Sequence, residues 1–173
     1  MSRIPIIIVN NAGDVVGTAP TPRSPLQKGE YRLIARVMLQ NSNGQFLLQK
    51  RAARMEVYPN CWDQSAAGHV DDGETVEMAA YRELKEELGL GGVKLEFIIT
   101  FLNEDTLTVD GKSSPTFNYL YKGKFDGVVD DITIQESEVS EIKWYNRVEI
   151  NELLKNKNET TAALQKIFGD ELV

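Results

Sequence analysis

Cysteine and histidine are almost missing from this chain of 173 residues, which contains one of each, Cys61 and His69. A single cysteine cannot form a disulfide within the chain. Long apolar runs are also missing, because the run at residues 4–9 is too short for a membrane-spanning helix or the core of a signal peptide. We therefore expect a soluble, cytoplasmic protein without a membrane partner.

Basic residues are in the minority, with 19 Lys and Arg against 26 Asp and Glu and a net charge of −7. An acidic surface repels polyphosphate backbones within a Debye length, which argues against long nucleic acid as a partner. The length, with 42% hydrophobic residues, suffices for one compact core. We therefore expect residues 1–173 to form a single domain.

The first thirty residues differ from the rest of the chain. Two β-rich runs flank a turn at residues 10–13, which predicts an N-terminal hairpin. A connector without regular structure follows, since three of the six prolines lie in it or just before it: Pro20, Pro22 and Pro25. Residues 1–30 are thus predicted as a hairpin extension with its connector, and residues 31–173 as the core.

The core alternates strand and helix patterns. A second hairpin is predicted from residues 31–40 and 45–51 around Asn43 and Gly44. Further strands are predicted at residues 62–70, 93–103, 117–125 and 141–146. Two C-terminal helices follow, the second starting at an Asn158 N-cap and ending at Gly169. Strands on both sides of a central helix predict an α/β fold with a mixed sheet between helices.

The central helix is defined by its ends and by its apolar side. Thr75 is a suitable N-cap, and Gly89 suits the left-handed residue that ends a helix. An apolar stripe at a spacing of four docks the helix onto a sheet: Val76, Ala80, Leu84 and Leu88. The helix is therefore well specified without its acidic residues.

Those acidic residues are Glu83, Glu86 and Glu87, three and four positions apart and so on one side of the helix. A solvated face paired with basic residues is the simplest interpretation. Yet only Arg82 lies within reach of Glu86, and like charges four apart repel unless a cation lies between them. A divalent cation with oxygen ligands, Mg²⁺ first and Mn²⁺ second, would relieve that repulsion.

The spacing around this helix carries a family resemblance. Five residues separate Gly68 from Glu74, and seven residues separate Glu74 from the segment "RELKEELGL" at residues 82–90. This segment resembles the Nudix box at every fixed position. The resemblance implies a Nudix-type α/β/α sandwich with a mixed sheet, and a hydrolase that splits a nucleoside diphosphate linked to some other group X.

The resemblance also implies roles for residues of the box. Glu83, Glu86 and Glu87 correspond to the metal-binding and base-forming carboxylates, and the Gly68 carbonyl to a further metal ligand. Arg82 and Glu74 correspond to the pair that fixes the helix to the preceding loop, and Gly89 to the structural glycine that ends it. A carboxylate-held Mg²⁺ can neutralise phosphate oxygens and activate water, as such a hydrolysis needs.

Further candidates lie outside the box. Similar Nudix proteins place an acidic residue just before the last strand, where we select Glu138 from Glu136, Glu138 and Glu141. Either Glu83 or Glu138 is expected to help deprotonate water. Basic groups for the substrate phosphates follow the strand before the box: Lys50, Arg51 and Arg54.

The flanking sequence is also similar to isopentenyl diphosphate isomerase, an enzyme of the same fold. That enzyme places a catalytic cysteine where this chain has Ala67, and it uses three histidines around one metal where this chain has only His69. Isomerase chemistry is therefore disfavoured, and His69 is open between a structural residue and a metal group. Cys61 has no predicted base beside it, so it is not expected to be a nucleophile.

A second alternative is a sensor that binds a nucleotide derivative without cleaving it, although every carboxylate of the box is present. The box says nothing about group X. Specificity is expected from the loop at residues 104–116, the N-terminal hairpin and four aromatic residues: Tyr58, Phe117, Tyr119 and Tyr121. Many family members form dimers, and a homodimer is one open oligomeric state.

Overall fold

The structure is a computed structural model that describes residues 4–104, 106, 111, 112 and 114–173. Within this part of the chain nine strands form one mixed sheet. The strands are β1 (Ile6–Val9), β2 (Val15–Ala19), β3 (Tyr31–Gln40), β4 (Phe46–Arg51), β5 (Trp62–Asp63), β6 (Ala66–His69), β7 (Leu95–Asn103), β8 (Thr116–Lys124) and β9 (Val139–Tyr145). The helices are α1 (Val76–Leu88), α2 (Arg147–Leu153) and α3 (Ala162–Gly169), and Val129–Asp131 form a 3₁₀ turn.

Strand β3 is the centre of the sheet. Strand β8 runs parallel to it on one side, with β7 antiparallel beyond. The other side of β3 pairs antiparallel with three partners in turn, β1, β6 and β4, and β9 extends the sheet from β4. The predicted N-terminal hairpin is confirmed as β1 and β2, and it joins the same sheet.

The two faces of β3 are covered differently, as the twofold alternation of a strand requires. Leu33, Ala35 and Val37 face α1 in the larger apolar core. Met38 lies on the opposite face, in a second core closed by α2 and α3. Helix α1 packs on β3 and β6 through a buried side that contains Ala80, as the apolar stripe predicted.

One predicted strand is wrong in its extent. Residues 62–70 form two short strands, because β5 stays with β4 while β6 follows β3. The Ser65 hydroxyl lies where the two pairs separate: it donates to the Leu47 carbonyl at 2.6 Å and accepts from the Leu39 N–H at 2.7 Å. The side chain thus bridges the backbones of β3 and β4 at the point of divergence.

The predicted start of the last helix is also wrong. Thr161, not Asn158, is the N-cap of α3, and its hydroxyl accepts from the Leu164 N–H. The reason is a long-range contact: the backbone of residues 159–161 hydrogen bonds to Trp62 of β5 and stays extended. Gly169 is the last residue of α3, so the predicted end is confirmed.

None of the helices in the described residues is long and apolar enough to cross a membrane. Part of the loop expected to set specificity lies outside the described residues, namely residues 105, 107–110 and 113.

Candidate active site

Helix α1 lies along the outer edge of β6. The Ala67 N–H donates to the Glu87 carboxylate at 3.2 Å, and the His69 carbonyl accepts from the Arg82 guanidinium at 2.9 Å. The helix begins at Thr75, whose hydroxyl caps the Met78 N–H, and it ends at Gly89 with a φ of 65°. These two predicted caps place the acidic side of α1 against the strand edge.

The register of β6 corrects one prediction about Gly68. Val70 donates to the Leu33 carbonyl, and Gly68 pairs with Ala35 two residues further along the same ladder. In an antiparallel ladder such alternate residues exchange their hydrogen bonds with the partner strand. The Gly68 carbonyl therefore faces β3, away from the carboxylates beside which the predicted metal-ligand role would require it to lie. The Ala67 carbonyl points outward instead.

Gly68 has a steric function at this edge. The Glu83 carboxylate fills the space in which a Cβ at position 68 would lie. The backbone of Gly68 has an ordinary negative φ, so glycine is needed here for space and not for conformation. Because position 68 has no side chain, Glu83 can reach past β6 towards the opposite face of the sheet.

Arg82 is shared by four carboxylates, of which Asp71 is the most distant at 4.0 Å. Its guanidinium lies 2.6 Å from Glu74 before the helix, 2.5 Å from Glu83 and 3.2 Å from Glu86. The predicted contact between Arg82 and Glu74 is thus present, and it joins α1 to the preceding loop. The guanidinium also lowers the pKa of the Glu74 carboxyl, against the opposing effect of burial.

Two of the box carboxylates are buried. Glu87 is 2% exposed and accepts from the Gln49 amide at 2.7 Å. Burial, reinforced by repulsion from Glu83, raises the pKa of Glu87 well above its ordinary value. Burial also raises the pKa of Glu83 to about 7, although Arg82 acts in the opposite direction. The surroundings of both carboxyl groups therefore disfavour the charged form.

The three carboxylates do not converge as the helical spacing predicted. Glu83 and Glu87 turn inward to β6, whereas the Glu86 side chain is 54% exposed. Among the described residues, no group of three or more His, Cys, Asp or Glu side chains could hold a metal ion in this arrangement. Arg82 separates them, because its Nη1 contacts both Glu83 and Glu86.

A cleft of about 480 Å³ opens beside this edge. The acidic side is formed by Glu83 and Glu86, and Glu138 also lines the cleft. The sequence prediction of Glu138 therefore agrees with its position. Its carbonyl accepts from the Ala52 N–H at 2.8 Å, which fixes the backbone of this residue.

The cleft also contains two arginines. Arg51 lies 3.6 Å from Asp63, and the buried Arg36 lies 3.9 Å from the same carboxylate. Arg36 additionally donates to the Asn118 amide oxygen at 2.7 Å, and the Thr161 hydroxyl donates to Asp63 at 2.6 Å. Two guanidinium groups thus share one carboxylate, which leaves a net positive charge on this group of three side chains.

Only one of the three predicted phosphate-binding residues lines the cleft. Arg51 does so, but Lys50 lies on the other face of β4, with its ammonium 5.9 Å from the centre of the Trp62 ring. Arg54 donates to the Ser137 carbonyl at 2.7 Å and is not among the lining residues. Strand alternation separates Lys50 from Arg51.

The aromatic residues predicted to set specificity are also divided. Tyr58 lines the cleft. Phe117, Tyr119 and Tyr121 instead pack in the core under α1, on the opposite face of β8. His69 lines the cleft. Burial raises the pKa of Cys61, whose thiol donates to the Asn158 carbonyl, and this agrees with the prediction that it is not a nucleophile.

Sequence reasoning missed three features of the cleft. They are the outward Ala67 carbonyl, the buried Arg36, and Asn103 at the end of β7. Arg36 had a weak signal, since it is a charged residue in the middle of the apolar run of β3. Such a residue is costly to bury without a function or a partner.

Comparison with known proteins shows the family to which this fold belongs. The NUDIX domain model matches residues 30–165. A Nudix hydrolase of Listeria monocytogenes is 33% identical over 156 residues, covering 88% of this chain and 85% of that protein. Isopentenyl-diphosphate Delta-isomerase 2 of Photorhabdus laumondii is 31% identical over 144 residues, covering 83% and 78%.

Solved structures agree on the fold. The crystal structure of DR0079 from Deinococcus radiodurans has a TM-score of 0.78 at 20% identity and covers 96% of this chain and 98% of that one. The mixed sheet of this chain, with helix α1 along the β6 edge, has the α/β architecture of the Nudix fold. The chain belongs to the Nudix family and is a hydrolase. Nudix hydrolases in general act on small nucleoside diphosphate-linked substrates with divalent metal cations.

Proposed function

We propose that this hydrolase cleaves the phosphoanhydride bond of a nucleoside diphosphate linked to another group X, in a reaction that depends on Mg²⁺, with Mn²⁺ as a substitute. The observation that carries the proposal is the pair of buried carboxylates, Glu83 and Glu87, on one side of α1. Burial raises both pKa values, and repulsion adds to it, from Glu86 and Glu138 at Glu83 and from Glu83 at Glu87. A cation that neutralises them is the simplest reason to keep both.

The donor set fits a hard divalent cation, which prefers oxygen ligands. Glu83, Glu86 and Glu87 would hold it together with the outward Ala67 carbonyl. Arg82 keeps its contact with Glu74 and would release one of its contacts to Glu83 or Glu86. When bound, the cation neutralises phosphate oxygens and lowers the pKa of a bound water.

The remaining groups have separate tasks. Glu83 or Glu138 accepts the proton of the attacking water, since both line the cleft. Arg51 and Arg36 bind the phosphate that is not attacked, because their joint charge exceeds that of Asp63. Ala67 stands where isopentenyl diphosphate isomerases carry their catalytic cysteine, so double-bond migration is not proposed.

A metal-dependence experiment tests this function. We expect turnover of nucleoside diphosphate derivatives in Mg²⁺, none in excess chelator, and recovery with Mn²⁺. Glu86→Gln should reduce kcat by about 100-fold or more without lowering the Tm, because this side chain is mostly exposed. Glu77→Gln is the matched control: it is an exposed glutamate on the same helix and does not line the cleft.

Calorimetry supplies a readout that does not need a substrate. Wild type and Glu77→Gln should take up Mg²⁺, and Glu86→Gln should bind it more weakly. Turnover that persists in chelator, or equal Mg²⁺ uptake by the wild type and Glu86→Gln, would contradict the proposal.

A further inference from the structure

Asn103 leaves a buried hydrogen-bond donor unused. The residue ends β7, is 5% exposed and lines the cleft. Its Nδ2 finds no acceptor within the described part of the chain. Burying an amide donor without a partner is unfavourable, because the donor loses its hydrogen bond to water. Such a group in a cleft indicates a ligand atom that completes it.

Asn118 shows that the same sheet face can satisfy an asparagine. It lies on the neighbouring strand β8, and its Nδ2 donates to the Phe101 carbonyl at 3.1 Å and to Thr116. Its Oδ1 accepts from Arg36. The unused donor of Asn103 is therefore a local property of that position.

The surroundings of Asn103 are polar, and the buried Arg32 guanidinium donates to the Ser114 hydroxyl there at 3.3 Å. We call Asn103, Thr106, Ser114 and Thr116 the polar shelf; all four line the cleft and are buried. Asn103 and Thr116 are direct partners across β7 and β8. The Ser114 N–H donates to the Thr106 carbonyl at 2.8 Å, which joins the two ends of the loop at the shelf.

The polar shelf is separated from the acidic edge. Strands β8 and β3 lie between β7 and β6, so Asn103 is three strand spacings, about 14 Å, from the strand beside Glu83. A diphosphate at the acidic edge cannot span this distance alone. The group next to Asn103 is therefore the part of the substrate beyond the diphosphate.

We infer that Asn103 is a specificity-determining residue whose Nδ2 donates to an oxygen or nitrogen acceptor in the part of the substrate beyond the diphosphate, so that this part is a polar group such as a sugar or a nucleobase and not a prenyl chain. The inference rests on the proposed function, because it assigns the cleft to a diphosphate substrate. An apolar group next to Asn103 would leave the Nδ2 donor buried and unpaired. A site built to hydrogen bond a polar group of the substrate discriminates strongly against a compound that lacks that group.

The test compares Asn103→Leu with wild type on two polar compounds, ADP-ribose and UDP-glucose, and one apolar compound, geranyl diphosphate. Thermal-shift titrations in chelator measure binding without turnover. We expect at least one polar compound to bind the wild type better than geranyl diphosphate does. Asn103→Leu should weaken that binding about 10-fold and change geranyl diphosphate binding less.

Stability separates ligand binding from a structural role. Asn103→Leu should not lower the Tm, because it removes an unpaired amide. Asn118→Leu is the matched control, and it should lower the Tm since it leaves Arg36 without its acceptor. The inference is overturned if no polar compound binds better than geranyl diphosphate, if Asn103→Leu binds all compounds as wild type does, or if its Tm falls as that of Asn118→Leu does.

Turnover is scored separately. If Mg²⁺ supports no hydrolysis of any of the three compounds, the proposed function fails. The order of binding and its change in Asn103→Leu still decide the role of Asn103.

Discussion

The Glu83 carboxylate lies against the Cα of Gly68, in the volume that any side chain at position 68 would need. The helix and the strand edge are thus fitted to each other at the point where the cleft begins. A methyl group at position 68 must displace the carboxylate, and this gives the first prediction.

Gly68→Ala should lower kcat by about 100-fold or more, because Glu83 loses its position beside the cleft. The fold should persist, since the φ of Gly68 suits alanine. Gly17→Ala is the control: it is also a strand glycine, and a Cβ there meets no atom within 4 Å. Steady-state kinetics and circular dichroism would check both, and a wild-type kcat in Gly68→Ala would contradict the fit described here.

Glu87→Gln should separate stability from activity. Glutamine keeps an oxygen for the donors Gln49 and Ala67 but removes a buried charge, so the Tm in chelator should not fall. Turnover should fall by orders of magnitude. Glu87→Ala should lose both properties, because it leaves those donors unpaired. If Glu87→Gln turned over substrate normally, Glu87 would have no part in catalysis.

Metal-free stability should fall as the pH rises from 4.5 to 7. The folded state raises the pKa of Glu83 to about 7 from an ordinary 4.5, so it binds more protons than the unfolded state within this window. The loss is about 3 kcal/mol on the scale of 1.36 kcal/mol per pKa unit. Thermal melts in chelator from pH 4.5 to 8 would measure it.

Two controls belong to this pH experiment. Glu83→Gln should reduce the slope of the profile and leave the part due to Glu87, whose pKa is also raised, and Mg²⁺ should flatten the profile in the wild type because it favours the ionised carboxylates. A stability that rises across the window in chelator would contradict the assignment of Glu83.

Arg51 and Lys50 should respond differently to the same substitution, although they are neighbours in the chain. Arg51→Gln should raise the KM about 10-fold or more, because Arg51 lines the cleft. Lys50→Gln should leave KM and kcat near wild type, since Lys50 lies over Trp62 on the other face of β4. Equal effects of the two substitutions would show that the cleft does not bind the phosphates through Arg51.

Local signals in the sequence predicted the elements well. The limits of α1 follow from Thr75 and Gly89, which act within a few residues of themselves. The contact of Arg82 with Glu74 follows from a motif whose members lie eight residues apart. Interactions at such short range leave a pattern in the sequence.

Other features depend on distant parts of the chain and left no such pattern. The outward Ala67 carbonyl depends on the register between β6 and β3. The late start of α3 depends on Trp62, about a hundred residues earlier. Glu83 and Glu86 are separated because the Arg82 guanidinium contacts both of them. The positions of residues on a helical wheel do not show which of its neighbouring carboxylates an arginine will contact.

The contacts that place α1 along β6 have a consequence for association. An uncovered strand edge offers its N–H and C=O groups to other chains and promotes aggregation. On β6 two of these groups, the Ala67 N–H and the His69 carbonyl, are already bound by Glu87 and Arg82. The helix that forms the acidic side of the cleft thereby also protects this edge of the sheet from intermolecular strand pairing.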